Sequence, residues 1–199
     1  GFPMKIFAVL SAFLMPFVVP NTTVNGYKDL RFGMTIEQAK ETKLCEDQWH
    51  LPADDDWRRV VRGYWVCDKF RFDDGYAVAR LRFIGGQLKS IELKMPEYPK
   101  YPAELLLHVL EEKYGKTIEV EQRDLIEEDI LQGKIRKRRK NESALLDTYQ
   151  FAKGTVSLTL LTYNGIPQPA EIIYSAPELL LLEKKLEDRP QRRTLLRDL

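Results

Sequence analysis

The chain is poor in the residues that build metal sites, and it carries almost no net charge. Its 199 residues include only two His and two Cys, so a zinc site would need mostly carboxylate ligands, an uncommon ligand set for zinc. The 31 Lys and Arg nearly balance the 30 Asp and Glu, which leaves a formal net charge of +1. Nucleic-acid binding through bulk charge needs a larger positive excess. Composition therefore predicts no metal and disfavours nucleic acid as a partner.

Catalytic motifs are also missing. The sequence has no G-x-S-x-G nucleophile motif and no C-x-x-C redox motif, and a nucleophile needs an oriented base beside it. His108 falls on a predicted helix and His50 in a polar loop, while Asp54, Asp55 and Asp56 are consecutive and diverge instead of wrapping a calcium ion. We therefore expect a protein without catalytic residues or cofactors. A secreted hydrolase that uses paired carboxylates stays open as an alternative.

The N-terminus has the pattern of a secretory signal. Residues 1–3 precede Met4 and are set aside as a cloning scar. The segment from Ile6 to Pro20 is apolar except for one Ser and two Pro, and it is shorter than the roughly 20 residues of a membrane-spanning helix. We predict a signal peptide within residues 4–26, a mature chain that starts at Tyr27 without a transmembrane span, and a periplasmic or secreted protein. The alternative is a buried N-terminal helix of a cytoplasmic protein.

Export changes how the two cysteines are interpreted. An oxidising compartment favours a disulfide between Cys45 and Cys67. Closing a loop of about 22 residues would stabilise the fold by about 3 kcal/mol through the unfolded state. Two unrelated buried thiols are the alternative.

The first half of the chain has signals for a helix and an antiparallel meander. Thr35 and Gln38 have the spacing of a capping box, which predicts a short helix from Ile36 to about Leu44. Alternating apolar residues and two turn signals then predict three strands. The predicted strands are 57–72, 76–84 and 87–95, and the turns are 73–75 and 85–86.

The second half repeats this order. One apolar stripe predicts a helix from Ala103 to Tyr114 that ends at Gly115. Strand patterns follow at 117–122, 145–152, 155–163 and 170–174, and a last helix opens at Pro177. The predicted fold class is α+β, with two α-β-β-β units and a C-terminal helix. The strands of each unit form an antiparallel sheet, and the two sheets could join into one. The units span 27–97 and 98–189, with a charged insertion at 123–141 and a tail at 190–199.

Two short motifs resemble a known group of exported bacterial proteins. The segment Leu30–Thr35 with Gln38-Ala39, and the L-x-x-K-Y-G sequence of Leu110–Gly115, are similar to helix boundaries of proteins with BamE-like or β-lactamase-inhibitor-like folds. The resemblance implies a small α+β protein that binds other proteins and is not an enzyme. It does not extend to the lipidated Cys near the N-terminus of BamE.

Two sets of residues are candidates for partner contact. Tyr64 and Trp65 should lie on opposite faces of a strand, so one of them should face solvent or the second unit. A basic run could grip an acidic protein or anionic lipid; it contains Lys134, Arg136, Lys137, Arg138, Arg139 and Lys140. We therefore expect an exported, non-enzymatic protein that binds a protein partner. Docking on an anionic lipid surface through the basic run is the alternative, and a solvated loop needs no partner at all.

Overall fold

The protein is mostly antiparallel β-sheet with a few short helices. A computed structural model describes residues 24–52, 63–96, 101–124, 144–163, 165–179 and 181. The helices are α1 (Ile36–Glu41) and α2 (Ala103–Tyr114). The strands are β1 (Gly26–Tyr27), β2 (Leu30–Arg31), β3 (Tyr64–Phe72), β4 (Gly75–Ile84), β5 (Gln87–Lys94), β6 (Glu119–Asp124), β7 (Ala144–Phe151), β8 (Val156–Tyr163) and β9 (Ile166–Ser175).

One seven-stranded sheet joins the two halves of the sequence. Its strand order is β3-β4-β5-β9-β8-β7-β6, and every neighbouring pair is antiparallel. The halves meet where β5 pairs with β9, from Ser90 opposite Ser175 to Lys94 opposite Glu171. The predicted antiparallel meander is confirmed. The second half contributes four strands, one more than an α-β-β-β unit contains, so the α-β-β-β pattern is not repeated strictly.

The hairpin turns follow the local backbone preferences of their residues. Gly85 and Gly86 both have positive φ, at 59° and 75°, which suits a two-residue turn between β4 and β5. Asp73 also adopts a left-handed conformation, with φ at 52°, in the turn between β3 and β4. Asp tolerates this region better than most residues because its short side chain forms local hydrogen bonds.

The main core lies on one face of the sheet, under α1, α2 and the β1–β2 hairpin. Alternation along β4 buries Ala77, Ala79 and Leu81 on that face. A bulge in β3 between Cys67 and Phe70 lets both of these residues face the core, although they are three positions apart. The largest fully buried side chains are those of Phe70, Phe151, Leu30, Leu81, Leu88, Ile91, Leu93, Leu158, Ile172, Val156 and Cys67.

Helix α1 begins as the sequence predicts but ends earlier. The Thr35 hydroxyl accepts from the Gln38 amide, and the Gln38 side chain accepts from the Thr35 amide, which completes the capping box. The helix stops at Glu41, not near Leu44, because Lys43 turns into the left-handed region with φ at 54°. The chain then runs back along β3.

Helix α2 has the predicted bounds. Gly115 follows it with φ at 90°, and its amide donates to Glu111 O. Pro102 is the N-cap residue with extended ψ, and so lies just before the helix.

The last strands are longer or shifted relative to their sequence patterns. Strand β6 begins at Glu119, two residues late, and β9 begins at Ile166 although Pro167 and Pro169 lack amide donors. A register shift where β8 passes from Thr159 to Leu160 accommodates this proline-containing stretch. Residues 177–179 are helical, which agrees with the predicted start of the last helix.

A disulfide between Cys45 and Cys67 is present, which confirms the predicted pairing. It tethers the segment that follows α1 to the edge strand β3. Glu46 N donates to Lys69 O at 3.0 Å, and His50 and Val66 exchange two backbone hydrogen bonds of 3.0 and 2.8 Å. The outer edge of β3 is therefore covered by the protein's own chain.

The predicted signal peptide lies mostly outside the described residues, but its last residues belong to the fold. Val24 is buried, Asn25 O accepts from the Phe32 amide at 3.1 Å, and Gly26 pairs with Arg31. In the described part of the chain, no helix has the length and apolar character needed to cross a membrane.

Candidate binding groove

An apolar groove lies between α2 and the turn that joins β3 to β4. Its volume is about 430 Å³. Most of the residues that line it are apolar or aromatic, and two are aspartates. The described lining residues are Phe72, Asp73, Asp74, Gly75, Tyr76, Met95, Pro96, Tyr101, Leu105, Leu106, Val109 and Pro169.

The walls of the groove are apolar side chains that remain exposed. Leu105 and Val109 lie four residues apart on α2, so they share one flank of the helix, and their exposed fractions are 44% and 45%. Tyr76 stands on the strand side with 47% of its surface exposed. Ala103 and Leu110 of the same helix are buried against the sheet. Helix α2 therefore presents one apolar flank to the core and a second one to the groove.

Phe72, one of the residues that line the groove, belongs to a cluster of aromatic rings. The ring of Phe72 stacks on that of Tyr27 with 6.5 Å between centroids, and Tyr27 lies 4.9 Å from Tyr174. Burial, with Tyr114 and Asp73 nearby, raises the pKa of Tyr27 to about 12. Burial also raises the pKa of Tyr174. Both phenols therefore resist ionisation more than an exposed tyrosine does.

Two aspartates of the β3–β4 turn also line the groove. Asp73 and Asp74 occupy the turn, and Tyr101 Oη donates a hydrogen bond of 2.7 Å to Asp73 Oδ2. Lys28 Nζ donates to Arg71 O at 2.6 Å and interacts with Asp73. Burial lowers the pKa of Lys28, while its attraction to Asp73 acts in the opposite direction.

The described lining residues offer mainly apolar contacts. They supply aromatic and aliphatic contacts, two carboxylates and two phenols, but no His, Cys or Ser. Across the described part of the chain, no cluster of three or more His, Cys, Asp or Glu could hold a metal ion. The groove can hold an apolar group next to a hydrogen-bond donor.

Tyr64 and Trp65, the aromatic candidates from the sequence, lie on opposite faces of β3. Tyr64 Oη donates to Glu92 Oε1 at 2.7 Å. Trp65 packs against the core under α1, where Lys40 Nζ stands 4.6 Å from the centre of its ring. Both side chains are only partly exposed, and neither of them lines the groove.

The second face of the central strands carries charged residues of both signs. Arg80 lies opposite Glu92 in register, and Lys94 lies opposite Glu171. Arg80 and Glu171 are buried, with exposed fractions of 8% and 7%. Opposite charges across neighbouring strands stabilise their pairing. We interpret this stripe as part of the sheet's own packing.

His50 lies at the tethered edge of the sheet, far along β3 from the groove. Its Nε2 is 3.0 Å from Asp68 Oδ2, and its Nδ1 is 2.8 Å from Leu51 O. The contact with Leu51 O, followed by that with Asp68, raises the pKa of His50. The contact between His50 and Asp68 holds the segment before Leu51 against β3.

Two sequence candidates fall outside the described residues. They are the basic run that holds Lys134, Arg136, Lys137, Arg138, Arg139 and Lys140, and the acidic run Asp54–Asp56. The groove, in contrast, was missed by sequence reasoning. The sequence feature that could have indicated the groove is the pair Leu105 and Val109. These two apolar residues lie outside the stripe predicted to face the core.

Comparison with known proteins places the chain in one family. The model of a family described as "Uncharacterised protein" matches residues 27–198. The chain belongs to this family. No solved structure matches it significantly. Neither finding supports the resemblance to BamE-like or inhibitor-like proteins, so that relationship remains a prediction.

Proposed function

We propose that this protein is an exported binding module whose groove holds an apolar side chain of a protein partner. The observation that carries the proposal is the exposure of Leu105 and Val109 on α2, which line one cavity together with the exposed Tyr76. Scattered exposed apolar residues are common on proteins, but a contiguous concave set marks an interaction site.

The size of the groove suits side chains. A volume of about 430 Å³ lies in the lower part of the range of ligand sites, roughly 300–1,000 Å³. One or two large apolar side chains would fill it. Interfaces commonly place such anchors in desolvated pockets near their centre.

Export is supported by the disulfide. The Cys45–Cys67 bond has Cα atoms 5.9 Å apart and joins the segment after α1 to the edge of the sheet. Disulfides persist in oxidising compartments such as the periplasm and the cell exterior. Since Val24 and Gly26 belong to the fold, we place signal cleavage before Val24 instead of before Tyr27.

We favour the groove over Tyr64, Trp65 and the basic run as the surface that binds the partner. Tyr64 bonds to Glu92, and Trp65 packs under Lys40, so both aromatics already have intramolecular partners. Lipid docking through residues 134–140 and hydrolysis by paired carboxylates have no supporting observation among the described residues, and we do not propose them.

The proposal can be tested with random peptides displayed on phage and selected on the immobilised full-length protein. Selected peptides are then measured on the Val109→Glu variant, which places a carboxylate in the groove. Val120→Glu is the matched control, because Val120 is the same residue type with a similar exposed fraction, 53%, on the distant strand β6.

We expect the groove substitution to weaken selected peptides by at least tenfold and the control substitution to leave their affinity within twofold. Equal effects of the two substitutions, or no peptide enriched above background, would refute the proposed function.

A further inference from the structure

We infer that the outer edge of strand β6 binds an extended segment of a partner protein in which Lys or Arg alternates with apolar residues. The segment would add one strand to the sheet, at a surface separate from the groove. The inference therefore stands independently of the proposed function. It rests on an uncovered sheet edge at residues 118–122, with apolar side chains and two carboxylates along it.

The two edges of the seven-stranded sheet differ in how they are covered. The outer edge of β3 lies under the disulfide-tethered segment, which forms bridges to that strand at Cys45 and His50. At the other edge, β6 pairs with β7 and, within the described ranges, with no further strand. Residues 118–122 are all exposed. Every second residue of an antiparallel strand directs its amide and carbonyl away from its neighbour, so β6 offers these groups to another strand.

Exposed apolar side chains lie along this edge. Val120 is opposite Tyr149, which packs against the core, so Val120 lies on the face of the sheet that carries α2. Ile118, just before the strand, donates its amide to Gln150 O at 2.9 Å. The exposed fractions of Ile118 and Val120 are 59% and 53%. An added strand with apolar residues would remove part of this surface from water.

The opposite face of β6 carries two carboxylates that have no cation directly across from them. Glu119 and Glu121 alternate with Val120, and their partners in register are Gln150 and Thr148, which are neutral. In the central strands, by contrast, charged residues lie opposite residues of the other sign. Lys or Arg on an incoming strand would complete the same arrangement at the edge.

A second copy of this chain fits the edge poorly. Antiparallel pairing of two β6 strands about a two-fold axis at residues 119–121 places Glu119 opposite Glu121, or one of them opposite itself. Like charges directly opposite each other destabilise the pairing of strands. A basic segment of another protein meets no such repulsion. Its backbone would supply the hydrogen bonds, and its alternate side chains would match the two faces of β6.

A short synthetic peptide that alternates Lys and Val tests the inference. It is labelled with fluorescein and titrated by fluorescence anisotropy against the full chain and two variants. Glu119→Lys/Glu121→Lys reverses the charge at the edge. Glu41→Lys/Glu104→Lys is the matched control, because it changes the net charge equally at exposed glutamates of α1 and α2. Circular dichroism checks that both variants are folded.

Two methylated peptides separate strand addition from charge attraction. One carries N-methyl groups on every Lys and the other on every Val. An added strand directs one of these sets of amides toward β6 and the other set away from it. One methylated peptide should therefore bind within about threefold of the parent, and the other about tenfold or more weakly. This comparison uses the unmodified protein, so it remains decisive if a variant fails to fold.

We expect the edge variant to weaken the parent peptide by about tenfold or more, and the control variant and Val109→Glu to change its affinity by less than about twofold. No binding, equal losses in the edge and control variants, or equal binding of the two methylated peptides would overturn the inference. A loss of binding in Val109→Glu would place the peptide in the groove, and would also overturn it.

Self-association is the remaining outcome to be measured. Sedimentation equilibrium of the protein without peptide should show a monomer. A dimer that Val120→Glu dissociates would mean that a second copy covers the edge, and a peptide occupant would be wrong. Failure of this inference at any of these steps leaves the proposed function to its own test, which depends on Val109 and not on β6.

Discussion

The two apolar flanks of helix α2 carry similar residues but differ in burial. One flank buries Ala103 and Leu110 against the sheet, with exposed fractions of 1% and 4%. The other leaves Leu105 and Val109 with 44% and 45% of their surface exposed above the groove. A helix that only closed the core would need one stripe about 100° wide.

The difference separates stability from binding on a single element. Residues on the buried flank contribute to folding because they leave water when the chain folds. Residues on the groove flank gain little from folding and can gain from a partner. Substitutions on the two flanks should therefore be distinguishable by measurements of unfolding.

The strongest test of this contrast is a pair of identical truncations. Leu110→Ala removes a buried side chain and leaves a cavity, so the free energy of unfolding should fall by about 2–5 kcal/mol. Leu105→Ala should change it by only about 0.5 kcal/mol. Urea denaturation followed by circular dichroism measures both. A similar loss in the two variants would mean that the groove flank is part of the core.

Removal of the disulfide should separate the tethered edge of the sheet from the groove. The double variant Cys45→Ala/Cys67→Ala frees the segment that covers β3, and we expect a loss of about 2–4 kcal/mol in the free energy of unfolding. Peptide affinity at the groove should be unchanged under native conditions. A loss of affinity in a folded variant would show that the edge and the groove are coupled.

Alkaline titration tests the aromatic cluster of Tyr27, Phe72 and Tyr174. Folding raises the pKa of Tyr27 from 10.0 to about 12 through burial, with Tyr114 and Asp73 adding to the shift. The corresponding stability is therefore fully present below pH 10 and is lost as pH rises through about 12, an effect of about 2–3 kcal/mol. Unfolding free energies at pH 9 and pH 11.5 measure it.

Tyr27→Phe should make this alkaline loss smaller, while Tyr174, whose pKa is also raised, keeps part of it. An unchanged pH dependence in Tyr27→Phe would mean that the Tyr27 phenol is not held in its neutral form by folding.

The smallest effect belongs to the pair of His50 and Asp68 at the tethered edge. The pKa of His50 is raised, so the pair stabilises the fold below the ordinary value of 6.5, and this contribution is lost as pH rises through the folded pKa. Because both side chains are about half exposed or more, Asp68→Asn should cost no more than about 0.5 kcal/mol at pH 5. At pH 8 it should cost nothing. Thermal melts at the two pH values provide the check, and an equal loss at both would rule out a titrating pair.

Most secondary structure could be predicted because its signals are local. The capping box at Thr35, the glycine at the end of α2 and the Gly85-Gly86 turn act over a few residues. The apolar stripe of α2 and Gly115 predicted the bounds of that helix correctly. The disulfide could also be predicted, because only two cysteines were available.

What could not be predicted depends on contacts between distant segments. The join between β5 and β9 brings Leu93 opposite Ile172, and no local pattern specifies that pairing. The groove likewise forms only when α2 is placed beside the β3–β4 turn. Leu105 and Val109 stand out in the sequence only once the core-facing stripe of α2 is known.

The most direct test of a partner in the groove is methyl NMR with a selected peptide. Leu, Val, Ile and Met methyl groups are labelled and followed as the peptide is added. We predict shifts at Leu105, Val109 and Met95, which line the groove, and none at Ile118 and Val120 near and on β6. Shifts near β6 with unchanged groove methyls would contradict the account and place the binding surface elsewhere.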